Sequence, residues 1–201
     1  QLLSLLWRNG TNRAYGYICT IDPDGKVKPH KATPQTAYSQ AQKYAGKANI
    51  YFGVNPIHPR WKGGKPGGED VAAIACVFAD FDCGEGKPYP DKAAAKAHID
   101  SLTLAPSMLV DSGGGYHAYW CLVEPVPPDD KAASLQRRWV ELVGGDKAAK
   151  DTARMLRLPG FANLKYEDKP ITTIVEFHPE RLYSLDELVA LLPPEEPEEP
   201  E

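Results

Sequence analysis

Two aspartates, Asp80 and Asp82, end an apolar run that begins at Val71. The run is rich in Ala, Val, Ile and Phe and is too short to span a membrane, so it predicts a buried strand. Residues two apart in a strand share one face, and two buried carboxylates repel each other unless a cation lies between them. Oxygen ligands of this kind suit Mg²⁺ or Mn²⁺. Taken alone, the pair is equally typical of acids that cap a turn.

A second polar cluster is the segment Ser112-Gly-Gly-Gly-Tyr-His117. Glycines allow positive φ and let backbone N–H groups approach a ligand closely, as in phosphate-binding turns. His117 begins the strand that follows, with its side chain beside the turn. The alternative interpretation is a tight hairpin with a surface histidine.

The third cluster runs from Asp151 to Lys165 and contains two arginines, a Pro-Gly turn and Asn163. If residues 151–156 are helical, Asp151 and Arg154 lie on one face and form a purely structural ion pair. The functional interpretation makes Asp151 a third carboxylate near a metal, with Arg157 and Lys165 binding a triphosphate.

Charge is distributed unevenly along the chain. Without the five glutamates of the tail, residues 193–201, the formal net charge changes from −4 to +1. The loop at residues 56–68 carries Arg60, Trp61, Lys62 and Lys65. Such a loop is a flexible connector or a surface that holds a template strand or phosphates.

The elements that must position these clusters alternate between strands and helices. Strands are predicted at residues 14–21, 49–55, 71–82, 107–111, 116–124 and 171–177. Helices are predicted at residues 34–45, 91–102, 128–143 and 184–192; the last begins with a Ser184–Glu187 capping box. Several strands are expected to be antiparallel neighbours, so the predicted fold class is α+β.

The cysteines and the two ends of the chain bear on the cellular compartment and on the domain boundaries. The four cysteines are widely spread and the five histidines stand at no zinc-like spacing, so neither structural zinc nor disulfides are expected, and a reducing cytoplasm is the natural compartment. We find no signal peptide or membrane span. The first residue is Gln rather than Met, which indicates a piece of a longer protein. Residues 1–192 are predicted to be one catalytic domain and residues 193–201 an acidic linker.

The three clusters read FADFD, SGGGYHAYW and DTARMLRLPGFANLK in chain order. Together they closely resemble the catalytic domain of archaeo-eukaryotic-type primases, above all the RepB-like primase and primase–polymerase branch found in plasmids, phages and mobile elements. The resemblance covers about residues 14–192. It implies an RRM-like antiparallel sheet packed beside an N-terminal α/β lobe, with the active cleft between them.

The resemblance also implies roles for particular residues. Asp80 and Asp82 would bind two Mg²⁺ or Mn²⁺ ions with a third acid, taken as Asp151, with Asp146 as a nearby competitor. His117 would contact the phosphates of the incoming nucleotide. The expected nucleotide-binding residues are Ser112, Gly115, His117, Arg154, Arg157, Asn163 and Lys165, and the expected DNA-binding residues are Arg60, Lys62 and Lys65.

The implied activity is template-directed nucleotidyl transfer that starts primers de novo from NTPs or dNTPs on single-stranded DNA, with a helicase or other replication domain in the full-length chain. One rival is a phosphohydrolase of the haloacid-dehalogenase type. Its Asp-x-Asp normally lies near the N-terminus and precedes Gly-Thr, whereas here Cys83-Gly84 follows. Another rival is a non-catalytic RRM-like module that binds single-stranded nucleic acid, which would display aromatics where this strand carries carboxylates.

Overall fold

Two antiparallel sheets form the framework of the chain, which this computed structural model describes over residues 1–10 and 15–194. The strands are Gly16–Ile21 (β1), Val27–Ala32 (β2), Asn49–Gly53 (β3), Ile74–Asp82 (β4), Met108–Asp111 (β5), Gly115–Val126 (β6), Met155–Arg157 (β7), Thr173–Phe177 (β8) and Leu182–Tyr183 (β9). The α-helices are Leu2–Leu6 (α1), Ala37–Gln42 (α2), Lys92–Asp100 (α3), Asp130–Leu142 (α4) and Leu185–Leu191 (α5).

The first sheet has the strand order β2-β1-β3-β7, and the second has the order β4-β6-β5-β8, with β9 parallel to β6. One core lies between the sheets, where Phe52 and Leu156 of the first meet Phe78 and Tyr119 of the second. On its other face the second sheet is covered by helices α3, α4 and α5. Strand β4 is thus buried on both sides, which explains its nearly continuous apolar sequence.

Strand β4 lies at the edge of its sheet, yet its outer backbone groups have partners. The Gln136 side chain on α4 accepts a hydrogen bond from Phe78 N–H (3.2 Å) and donates one to Phe78 O (2.9 Å). Further along, Asp146 N–H donates to Asp80 O at 2.7 Å. A side-chain amide and a turn therefore take the place of a neighbouring strand and satisfy the edge.

The predicted α+β class, with its RRM-like sheet beside an N-terminal lobe, is confirmed. The N-cap predicted at Thr33 is wrong: residues 33–36 form a turn, and helix α2 begins after Thr36. Strand β2 escaped prediction because Pro29 interrupts it, which only an edge strand tolerates. The conditional helix over residues 151–156 is also wrong, because residues 155–157 form β7 and pair with β3.

Some predictions fall partly on residues that the structure does not describe. Ala14, the predicted start of the first strand, and residues 195–201 of the acidic tail lie outside the described ranges.

The capping box of α5 is present: Ser184 N–H donates to Glu187 Oε2, and Glu187 N–H donates to Ser184 Oγ. Within residues 1–10 and 15–194, no helix is both long and apolar enough to cross a bilayer.

Candidate active site

A cleft of about 360 Å³ lies where β7 of the first sheet approaches the ends of β4 and β6 in the second. This volume falls in the range of small-molecule sites. Eleven of the residues that the sequence singled out line it: Lys65, Asp80, Asp82, Ser112, His117, Asp146, Asp151, Arg154, Arg157, Asn163 and Lys165. Carboxylates and bases thus meet in one cavity although they come from distant parts of the chain.

Asp80 and His117 are directly paired across β4 and β6, so their side chains share the face that opens into the cleft. Both are largely buried, and His117 Nε2 lies 3.7 Å from Asp80 Oδ1. Burial, with the charges of Asp82 and Asp146, raises the pKa of Asp80 to about 7. Burial, with the nearby Arg157 guanidinium, lowers the pKa of His117 to about 3. The imidazole is therefore neutral at physiological pH, and the contact is not an ion pair.

Two polar atoms of this pair lack a partner. Neither Asp80 Oδ1 nor His117 Nδ1 has a hydrogen-bond partner among the described residues, although both atoms are buried. Buried polar atoms are almost always hydrogen-bonded in native proteins. Unsatisfied atoms next to a perturbed carboxyl group, in a cleft, indicate a place for a ligand.

The two candidates for a third acid both line the cleft but differ in their contacts. Asp146 is joined to β4 by its backbone bond to Asp80, and its charge is among those that raise the pKa of Asp80. Asp151 is about half exposed and lies 3.4 Å from Arg154 Nη1, as the structural interpretation of that cluster predicted. Asp146 is therefore the acid more closely tied to the aspartate pair.

The turn that carries Asp146 is held from below by two aromatic side chains. Tyr89 OH donates to Gly144 O at 2.9 Å, and His98 Nε2 lies 2.8 Å from Val143 O. Gly144 has φ +72°, and a Cβ on Gly145 would lie 2.9 Å from Ala79 Cβ. The two glycines let the chain turn closely over β4, and the aromatic contacts fix that turn.

The basic side of the cleft is organised by Asn49. Its Oδ1 accepts hydrogen bonds from Arg157 Nη1 (2.8 Å) and from Leu164 N–H (2.9 Å). The Arg157 guanidinium also lies 4.8 Å from the centre of the Tyr51 ring, a cation–π contact. One amide oxygen thus orients Arg157 and the loop that carries Lys165.

The glycine turn forms the tight hairpin that the alternative interpretation predicted, but its histidine is buried rather than on the surface. Ser112 donates both its N–H and its hydroxyl to Gly115 O, and Asn163 Nδ2 donates to Ser112 O at 2.8 Å. A Cβ on Gly115 would lie 2.1 Å from Phe81 O. In this structure Ser112, Gly115 and Asn163 therefore support the turn, and Gly114 lines the cleft in place of Gly115.

The predicted DNA-binding residues separate into two groups. Lys65 lines the cleft, whereas Arg60 and Lys62 are exposed on the same loop outside it. Sequence reasoning missed Asn49, Tyr51 and Lys87, and Lys87 Nζ lies 2.7 Å from Asp82 Oδ2. Asn49 and Tyr51 lie in a correctly predicted strand, but nothing local in that strand marks them as polar contacts of Arg157.

Comparison with known proteins gives a family match and a shared fold. Residues 93–185 match the family model of the RepB DNA-primase N-terminal domain. A replication protein of Clostridium perfringens is 28% identical over 152 residues, which cover 70% of this chain and 34% of that protein. The chain thus spans about a third of the length of that relative.

Two solved structures have the same fold. The archaeo-eukaryotic primase domain of the cyanophage S-2L primase–polymerase superposes with a TM-score of 0.71 at 24% identity, covering 95% of this chain and 94% of that one. The catalytic domain of primase RepB′, solved in complex with initiator DNA, gives a TM-score of 0.60 at 15% identity over 94% and 87% of the two chains. The resemblance to RepB-like primases is therefore confirmed as a sequence similarity over residues 93–185. Over nearly the whole chain, the confirmed similarity is that of the fold.

Proposed function

We propose that this domain is a DNA primase that starts primers de novo on single-stranded DNA, by template-directed nucleotidyl transfer with two divalent ions, and also extends them. The setting would be replication of a plasmid, phage or other mobile element. The observation that carries the proposal is the buried Asp80, with an unpartnered carboxylate oxygen, directly opposite His117 and facing a basic wall in a cleft. The family match over residues 93–185 supports the same reaction class.

The acids of the cleft fit a hard divalent cation. Asp80 has a raised pKa because it is buried beside the carboxylates of Asp82 and Asp146, and a cation would relieve that repulsion. Carboxylate oxygens are the ligands that Mg²⁺ and Mn²⁺ prefer. Asp80 and Asp82 would hold the ions, with Asp146 as the third acid in preference to Asp151, which pairs with Arg154. Such ions neutralise charge on a triphosphate and activate a 3′-hydroxyl.

The acidic side chains of the cleft are not arranged around a common metal position in this structure. In the described parts of the chain, no three His, Cys, Asp or Glu side chains are arranged to hold an ion as they stand. Lys87 lies against Asp82 instead. Binding of a metal would therefore require side chains of the cleft to move, among them Asp82, which pairs with Lys87.

The remaining residues divide the tasks of binding and orientation. Arg157 and Lys165 would bind the phosphates of a nucleoside triphosphate as fixed positive charges. The neutral His117 would use its unpartnered Nδ1 to hydrogen-bond a phosphate oxygen or its bound water. Arg154 and Lys65 extend the basic rim. Arg60 and Lys62, which are exposed on the loop that carries Lys65, would contact the template strand.

The rival reading as a non-catalytic RRM-like module needs an open sheet face with exposed aromatics. Here one face of the second sheet packs on the first sheet and the other on three helices. Neither face is free for base stacking. Single-stranded DNA would instead enter at the cleft, in line with the DNA that the RepB′ catalytic domain binds.

The test is a primer-free assay on single-stranded DNA with Mn²⁺ or Mg²⁺ and labelled NTPs or dNTPs. We expect dinucleotides and longer products that Asp80→Ala abolishes and that Asp100→Ala, on the far end of α3, leaves unchanged. Synthesis only when a primer is supplied would make the domain a polymerase. DNA binding without any synthesis would favour the non-catalytic module.

The same assay separates the third-acid candidates. Asp146→Asn is expected to remove synthesis, whereas Asp151→Asn reduces it only modestly because its carboxylate pairs with Arg154. The reverse ranking would return the role to Asp151. A helicase or other replication domain in the full-length protein is also proposed, since the chain covers only 34% of its Clostridium perfringens relative.

A further inference from the structure

The loop between β4 and α3 places a lysine against the aspartate pair. Lys87 follows Asp82 by five positions in the chain, and its Nζ lies 2.7 Å from Asp82 Oδ2. The loop is closed by Gly84 N–H, which donates to Tyr89 O (2.9 Å), and by Lys87 N–H, which donates to Gly84 O (3.1 Å). Residue 87 is therefore held by a turn with its own hydrogen bonds, and its ammonium group is presented to Asp82.

The far end of this loop contacts the turn that carries the third-acid candidate. Tyr89 OH donates to Gly144 O, two residues before Asp146. Tyr89 also pairs with Cys83 through an isolated β-bridge, next to Asp82. One short loop thus joins the segment of Asp82 to the segment of Asp146.

Lys87 contacts Asp82 directly, and Asp80 and Asp146 line the same cleft as Asp82. Arg154 also lines the cleft, but its Nη1 lies 3.4 Å from Asp151 Oδ2, with which it pairs. Among the described residues, Lys87 is thus the cation that the structure places in direct contact with Asp82.

We infer that Lys87 is an internal counter-ion that takes the place of a divalent cation at Asp82 and competes with the metal for that carboxylate. The inference rests on the proposed function, because it assumes that Asp82 is a metal ligand. A metal ion that approaches Asp82 must displace the ammonium group first. Lys87 is about half exposed, so it can move into solvent without disturbing the core.

The competition predicts a tighter metal site when the lysine is removed. Lys87→Met keeps the aliphatic stem and removes the charge. Exposed ion pairs contribute little free energy, so losing the Lys87–Asp82 pair should strengthen Mn²⁺ binding only modestly. We expect the apparent Kd for Mn²⁺ to fall roughly two- to fivefold. Mn²⁺ binding can be followed without any substrate, by the electron paramagnetic resonance signal of free Mn²⁺ during titration.

Two matched variants isolate the effect. Lys96→Met removes a lysine that pairs with Asp100 and Glu176 outside the cleft, and it should leave the Kd unchanged. Lys87→Arg keeps the charge and should stay close to the wild-type Kd. Circular dichroism and the melting temperature establish that each variant is folded.

The results distinguish this inference from the proposed function. Suppose that the wild type binds Mn²⁺, that Asp82→Asn removes this binding, and that Lys87→Met binds no more tightly than the wild type. That result overturns the role of Lys87 and leaves the proposed function standing. Loss of Mn²⁺ binding from every variant, including the wild type, overturns both. Tighter binding in Lys87→Met without primer synthesis by the wild type keeps the counter-ion and rejects the primase.

Discussion

Asp80 and His117 face each other across β4 and β6, with Asp80 Oδ1 3.7 Å from His117 Nε2. Each side chain retains a buried atom without a hydrogen-bond partner among the described residues. In a metal-free protein this arrangement is unfavourable, since the carboxylate is buried beside other acids. This unfavourable pair is the strongest physical indication that the cleft binds a ligand.

The first prediction concerns stability without metal. The folded-state pKa of Asp80 is about 7, whereas in the unfolded chain the group titrates near its ordinary value of 3.8. Between these values the folded state binds the extra proton, so wild-type stability falls as the pH rises from about 4 to 7. Asp80→Asn cannot ionise, so it should be more stable than wild type at pH 8 by an amount on the order of a few kcal/mol.

This is measured by urea unfolding in EDTA at pH 5 and pH 8. Asp100→Asn is the control, because Asp100 lies on the exposed end of α3 and pairs with Lys96. Parallel pH profiles for wild type and Asp80→Asn would contradict the buried, ionisable Asp80 described above.

The second prediction compares two neighbouring glycines. An added Cβ on Gly115 would lie 2.1 Å from the backbone oxygen of Phe81, which cannot move without breaking the β4–β6 pairing. An added Cβ on Gly114 would meet the hydroxyl of Tyr166 and its ring carbons Cζ (2.8 Å) and Cε2 (3.2 Å), which form the far end of a side chain that can rotate away. Gly115→Ala should therefore cost about 1–3 kcal/mol or more, and Gly114→Ala clearly less.

Thermal unfolding followed by circular dichroism checks this pair, with each variant acting as the control of the other. Equal losses of stability would mean that the Tyr166 side chain is as fixed as the β4 backbone.

The third prediction concerns the edge of β4. Gln136→Leu has a similar size but leaves Phe78 N–H and Phe78 O without partners, and it also removes the 3.3 Å contact to Ala149 O. Each buried backbone group left unsatisfied costs about 1–3 kcal/mol, so the total should be among the larger single-residue effects.

Gln42→Leu, at the exposed end of α2, should change the free energy of unfolding by well under about 1 kcal/mol. Urea denaturation measures both variants. If Gln136→Leu were as mild as Gln42→Leu, the side-chain bonds to β4 would not be needed to satisfy its edge.

The fourth prediction tests Asn49 as a positioning residue. Asn49→Ala removes the oxygen that accepts hydrogen bonds from Arg157 and from Leu164 N–H. Arg157 and the neighbouring Lys165, the proposed phosphate-binding residues, should therefore become less ordered. We expect the nucleotide KM in primer synthesis to rise about tenfold, with a smaller change in kcat. Asn49→Asp keeps an oxygen at the same position and should retain most of the wild-type KM. A KM that rises equally in both variants would indicate a wider structural disturbance.

Local patterns predicted much of the fold and site. The apolar run before Asp80, the three glycines before His117 and the Ser184–Glu187 box each signal their structure within a few residues, and each is present. Contacts between distant segments were not predictable: Asn49 meets Arg157 across 108 positions, and nothing in either strand marks the pairing.

Other features were missed for different physical reasons. Strand β2 contains Pro29, which a strand tolerates only at the edge of a sheet. Strand β7 has three residues and is extended because it pairs with β3. Lys87 lies in a Gly-rich loop that is joined to the rest of the molecule by the hydrogen bond from Tyr89 OH to Gly144 O, which no local pattern reveals. The choice between Asp146 and Asp151 likewise needs the backbone bond that places Asp146 beside Asp80.

The three residues of β7 have a wider consequence. They complete the first sheet, whose other strands end at Gly53, although they follow most of the second sheet in the chain. The segment that matches the family model, residues 93–185, contains β7 and β6 but lacks β3 and β4, their respective partners. A polypeptide cut to that segment would have two orphaned strand edges, so the boundary at which homology is recognised is not a boundary at which the molecule can be divided.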